Sequence, residues 1–169
     1  MSKPLIAEGA YPNLNDLCPD HYAARVLSSA YATSAGELNA SLQYIYHSIA
    51  FLCANDSKRA DLLRSIAIAE MKHIYLLGEA LTRLGSPPVY SFNPPAQFNF
   101  YSTKFVAYSR TLKNMIEDDI MGEKYAIYCY ERMLPRLKND VVKRLVCRIL
   151  EDEQLHLDAL KSSLEGLSY

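Results

Sequence analysis

The chain has 169 residues, 22% of them charged and 50% hydrophobic, with a formal net charge of −1. That is most simply one domain with a substantial core, without the long-range field that nucleic acid or an acidic membrane surface would call for. Its apolar stretches are too interrupted for a transmembrane span, and Met1 to Ala10 lacks the apolar run of a signal peptide.

Residues 1–19 hold Pro4, Pro12 and Pro19 and no helical period, so an extended arm is expected there, ahead of a bundle over 20–169. Asp20 can cap a first helix running to about Ala54, with Val26, Ala30, Leu38, Leu42, Ile45, Ile49 and Leu52 at helical spacing. Asn55-Asp56 marks a turn and the next N-cap. A second helix follows to about Leu84, with Gly85 as its stop. Ser86 to Thr103 contains Pro87, Pro88, Pro94 and Pro95 and reads as a connection. A third helix is expected from about Lys104 to Leu134, where Pro135 ends or kinks it. Asn139 or Asp140 caps a fourth, which runs to about Glu165. Short turns make each helix pair antiparallel. The middle link, about 18 residues at ~3.3 Å each, can run the length of a 30-residue helix of about 45 Å. The expected fold is therefore all-α, a ferritin-like four-helix bundle with one long crossover between helices two and three.

Two Glu-x-x-His segments lie 83 residues apart, Glu70/His73 and Glu153/His156. Each follows a Gly-Glu pair, Gly36-Glu37 and Gly122-Glu123. Residues three apart share a helix face, so each motif aims a carboxylate and an imidazole at one point. With an offset of 86, Gly36, Glu37, Ala40 and Tyr44 match Gly122, Glu123, Ala126 and Tyr130; with an offset of 83, Glu70, His73 and Leu77 match Glu153, His156 and Leu160. One Glu from each of two helices plus one Glu-x-x-His from each of the other two is the dinuclear carboxylate pattern. The alternative is a pair of surface Glu-His contacts. Against it, all six residues fall near one level of the bundle, where unpaired carboxylates would cost several kcal/mol each, about what burying an ion costs.

On these residues the chain resembles the ferritin-like superfamily, nearest to rubrerythrin-type and manganese-catalase-like proteins. The resemblance covers about residues 20–165. It implies two iron or manganese ions per chain, reacting with hydrogen peroxide or dioxygen. It also implies that Glu70 and Glu153 bridge the ions, with Glu37 and Glu123 terminal and one imidazole, His73 or His156, on each. In many di-iron relatives an Asp placed as Asp152 is holds the ring N–H of the opposite histidine, here His73; a solvated surface charge is the other reading. Carboxylate and imidazole donors suit iron or manganese.

Tyr44 and Tyr130, seven residues after a ligand Glu, are candidates for a hydrogen bond, a redox phenol, or plain core packing. Gly36 and Gly122, read as inside helices, point to close packing or a local π-bulge, with a chance pair of tolerated glycines as the alternative. His21 and His47 fall outside the motifs and read as structural or exposed. Cys18, Cys53, Cys129 and Cys147 lack metal-ligand spacing and read as free, buried thiols of a reducing cytoplasm. The expected function is a cytoplasmic dinuclear oxidoreductase consuming peroxide, catalase- or peroxidase-like. An iron-binding or storage protein with ferroxidase activity is the alternative. Peroxidase chemistry would call for a separate electron donor, since the chain carries no cysteine-ligated redox module. A homodimer or small homo-oligomer is expected, with the arm across the bundle or its partner, and no nucleic acid or membrane partner.

Overall fold

The computed structural model describes residues 2–91 and 99–167, so Pro94 and Pro95 lie outside the described residues. Among the described residues five α-helices make the architecture: α1 His21–Leu27, α2 Glu37–Cys53, α3 Ser57–Arg83, α4 Leu112–Met133 and α5 Asp140–Leu164. The four long helices α2–α5 form the expected bundle. α2 packs along α3, and α4 along α5. The caps act as the sequence predicts. Asp56 accepts from the Arg59 amide, Asn139 accepts from Val141 and Val142, and Gly85 takes a φ of +84°. Among the described residues no helix is long and apolar enough to cross a membrane.

The first predicted helix is broken. α1 ends in a 3-10 turn at Ser28–Ala30, and α2 begins only at Glu37. Hydroxyl side chains compete for the backbone between them: Ser28 and Ser29 donate to the Arg25 and Val26 carbonyls, and Thr33 to Ser29. Gly36 is thus an N-cap rather than a helical residue. A Cβ there would lie 2.8 Å from the Ala30 carbonyl oxygen and 2.9 Å from the Thr33 nitrogen, so close backbone approach requires glycine. Gly122, by contrast, is helical in α4, and an added Cβ would meet nothing within 4 Å, so neither close packing nor a π-bulge accounts for it.

The third predicted helix starts late, at Leu112 rather than Lys104, after a 3-10 turn at Thr103–Phe105. Side chains of α2 engage the backbone in between. The Ala107 amide donates to Gln43 Oε1 at 2.9 Å, and the Ala107 carbonyl accepts from His47 Nε2 at 2.9 Å. Thr111 then caps α4.

The buried apolar residues divide into two clusters. One joins α1, the ends of α3 and α4, and the start of α5, through Leu77, Leu81, Met133, Leu145 and Ile149. The other joins α2, the start of α3 and α4, and the end of α5, through Phe51, Leu63, Ile66, Ile116 and Leu160. The predicted ligands fall between the two. Two further expectations fail on burial. Ile45, Ile49 and Leu52 of the predicted apolar stripe are exposed, because Gln43, Tyr44, His47, Ser48 and Phe51 form the inner face of α2. The four thiols are free, but Cys18, Cys53 and Cys147 are exposed and Cys129 half-buried.

Candidate metal centre

The six predicted ligands converge between the apolar clusters. Glu70, His73 and His156 are 0% exposed, Glu123 and Glu153 2%, and Glu37 4%. They form two groups, Glu37/Glu70/His73/Glu153 and Glu70/Glu123/Glu153/His156, each with its donor atoms within 4.8 Å of one another. Glu70 and Glu153 belong to both. Mid-helix positions on α3, α4 and α5 supply five of the residues, while Glu37 comes from the first turn of α2. The positive end of the α2 dipole favours a carboxylate there.

Both imidazoles turn Nδ1 inward. His73 Nδ1 lies 3.2 Å from Glu153, 3.3 Å from Glu70 and 3.5 Å from Glu37. His156 Nδ1 lies 3.0 Å from Glu70, 3.7 Å from Glu123 and 3.8 Å from Glu153. Yet His156 Nδ1 and one oxygen each of Glu70, Glu123 and Glu153 are buried without an aligned hydrogen-bond partner. Buried polar atoms left this way are costly. Convergent carboxylate and imidazole donors with unsatisfied lone pairs fit iron or manganese.

Electrostatics agree. Burial, then the Glu153 charge, pushes Glu123 well above the usual carboxylate range. Burial and the Glu37 charge raise Glu70 as well. Burial opposes a charge on His73 and His156, but hydrogen bonds to carboxylates outweigh it and hold both imidazoles well above their ordinary value. Without a cation the cluster balances its charge with protons, which metal binding would have to displace.

Asp152 is fully buried, not a surface charge, and its Oδ2 lies 3.0 Å from His73 Nε2. Tyr44 donates to Glu123 and Tyr130 to Glu37. Each phenol thus serves the ligand of the other repeat, because α2 and α4 run antiparallel and set residue 44 beside 123 and 37 beside 130. Burial first, and then these carboxylates, push both phenols well above the tyrosine range.

Sequence reasoning missed three features. His47, read as structural or exposed, is fully buried and bonded at 2.9 Å to Asp119, which also accepts from Gln43 Nε2. Both His47 nitrogens face oxygens, Asp119 on one side and the Ala107 carbonyl on the other; burial opposes a charge on the ring, but these two partners raise its pKa. Tyr11 and Arg148 both donate to Asp152. Only the Arg148–Asp152 pair had a sequence signal, its i, i+4 spacing. His21 is exposed, as one of its two readings had it.

A cavity of about 290 Å³ reaches the centre from the α2–α4 side. Glu37, Tyr44, Glu123 and Glu153 line its inner end; Gly122, Tyr125, Phe105 and Ala107 are among its walls.

No curated protein sequence matches the chain. Two solved structures of KatB, a manganese catalase from Anabaena, superpose with TM-scores of 0.79 and 0.78 at 19% identity. They cover 94% and 95% of this chain and 78% and 80% of theirs, and at that identity they establish the shared fold. The family model for Rubrerythrin matches residues 27–164, spanning α2 to α5 and all six clustered side chains, and the chain belongs to that family.

Proposed function

We propose that the protein is a dinuclear iron or manganese oxidoreductase that consumes hydrogen peroxide. The observation that carries this reading is the pair of four-residue groups sharing Glu70 and Glu153. Those two carboxylates would bridge the ions, Glu37 and Glu123 would complete one ion each, and His73 and His156 would each bind through Nδ1. Bound metal would supply paired electron exchange with the oxidant. The residues do the rest. Tyr44, in the cavity wall, and Tyr130 hold the terminal carboxylates and can move a proton at the phenol oxygen. The cavity is sized for small reactants. Asp152 orients His73.

Catalase chemistry, in which peroxide is both oxidant and reductant, is the reading we favour. The shared fold with KatB, a manganese catalase, supports that choice. Peroxidase chemistry with a separate electron donor, dioxygen as oxidant, and iron storage with ferroxidase activity are the competing readings. We take the site of action to be the cytoplasm and the assembly to be a homodimer or small homo-oligomer. The exposed Ile45, Ile49 and Leu52 of α2 offer an apolar face to cover.

The test begins with metal analysis of protein purified without added metal. Oxygen evolution from peroxide is then measured with and without reductant. Two ions per chain and oxygen evolution without reductant are expected. Strict dependence on reductant with iron bound would move the reading to peroxidase, and iron uptake far beyond two per chain would move it to storage.

A further inference from the structure

The N-terminal arm crosses the bundle on the side opposite the cavity, and its backbone reaches both histidines. His156 Nε2 lies 2.8 Å from the Leu5 carbonyl oxygen. A carbonyl can only accept, so Nε2 carries a proton and Nδ1 is the nitrogen that faces the glutamates, free to take a metal once any proton there is displaced. Asp152, which takes the Nε2 proton of His73, is itself held by the arm. The Ala7 amide donates to its Oδ1 at 2.7 Å and the Tyr11 hydroxyl to its Oδ2. Arg148 ties the two together, donating to Asp152 Oδ1 at 2.6 Å and to the Ala7 carbonyl at 2.6 Å. Both carboxylate oxygens therefore receive donors, which fixes the orientation of Asp152 against the His73 ring.

The internal repeat explains why the arm is needed. At the 83-residue offset Asp152 corresponds to Ala69, a buried residue with no acceptor to offer. α5 supplies a carboxylate for the imidazole of α3, but α3 supplies nothing for the imidazole of α5. The missing acceptor comes from outside the bundle.

The arm is also anchored to do this. The Leu5 amide donates to the Ser65 carbonyl at 3.1 Å. The Leu5 side chain packs on the apolar cluster on one side of the centre, and Tyr11, Leu14 and Leu17 on the cluster on the other. Tyr11 is further clasped between the Lys72 ammonium, 4.3 Å from its ring centre, and the Arg148 guanidinium at 4.5 Å.

We infer that residues 5–11 are a working part of the metal centre, positioning His156 directly and His73 through Asp152, so that arm docking and metal binding reinforce one another. This rests on the dinuclear reading above. Coupling between two binding events is reciprocal, so a docked arm that tightens metal also docks more tightly when metal is bound. Partners of ligand histidines are typically worth about 10–100-fold in metal affinity.

The test uses the full chain with manganese(II) as the probe. In wild type, the Leu5 and Ala7 amides should exchange hydrogen at least about tenfold more slowly with metal than without it, by that reciprocity. Leu5→Asp, which drives the arm tip off its apolar seat, should weaken binding by about tenfold or more and release the ion at His156 first. Tyr11→Phe should weaken binding less, and Ser2→Ala, at the exposed tip, not at all. Circular dichroism confirms that each variant remains helical. Unchanged exchange on metal loading, or two ions held at wild-type affinity in folded Leu5→Asp, would overturn the arm's role while leaving the metal centre intact. Wild-type protein that binds no manganese would overturn both.

Discussion

The two sides of the centre are built to opposite rules. On the arm side the outward ring nitrogens and their partners are engaged: His156 by Leu5, His73 by Asp152, and Asp152 by Ala7, Tyr11 and Arg148. On the cavity side the walls are sparse, with open space beside Gly122 and a crossover strap held to α2 through Ala107. A centre that must hold metal and still admit a reactant needs both. Satisfied hydrogen bonds fix ligand orientation where nothing has to pass, and a gap is left where something does.

The largest effect expected is from removing what both sides share. Glu70→Ala or Glu153→Ala should lose both ions together, since each residue belongs to both groups. Glu37→Ala or Glu123→Ala should leave one ion. Metal content per chain checks this, and a Glu153→Ala protein still holding one ion would count against a bridging role.

Breaking the arm side comes next. Asp152→Asn removes the buried carboxylate charge that Arg148 meets at 2.6 Å and leaves that guanidinium, more than nine-tenths buried, with backbone carbonyls and the more distant Glu151, which should cost about 3–5 kcal/mol of metal-free stability, the usual loss when half of a buried ion pair is removed. Denaturant titration measures it. A loss under about 1 kcal/mol would place Asp152 with ordinary surface groups, whose ion pairs are worth no more than that.

Loosening the cavity side should cost less. His47 has a raised native pKa, so its contribution is fully present below about pH 6.5, its ordinary value, and fades as the pH climbs through the native value. His47→Gln should therefore destabilise by about 1–3 kcal/mol at pH 6, the scale of a lost buried hydrogen bond, and by less at alkaline pH. Melting curves of both proteins from pH 6 to 9 check the sign; a gap that widens with pH contradicts the assignment.

The smallest effect tests the gap itself. Gly122→Ala should raise stability by about 1 kcal/mol, the helix-propensity difference, because nothing opposes the added methyl. If Gly122 keeps the cavity open, the same variant should slow peroxide consumption without changing metal content. A faster or unchanged rate would leave the glycine without a role in access.

The six clustered side chains and the helices that carry them were legible in the linear sequence. Helical spacing fixes which residues share a face, and a repeated Glu-x-x-His needs no knowledge of the fold to be seen. Caps at Asp56, Asn139 and Gly85 were legible too, because capping is settled within a few residues. Three matters were decided only by the tertiary structure. The first helix breaks at 28–36, where serine and threonine hydroxyls engage the backbone and a Cβ on Gly36 would lie 2.8 Å from the Ala30 carbonyl oxygen. α4 starts late because Gln43 and His47, 64 and 60 residues away, engage the Ala107 backbone. The arm's role rests on a backbone carbonyl at Leu5 meeting a ring 151 residues distant. A carbonyl is common to every residue, so no side-chain pattern could have marked that one.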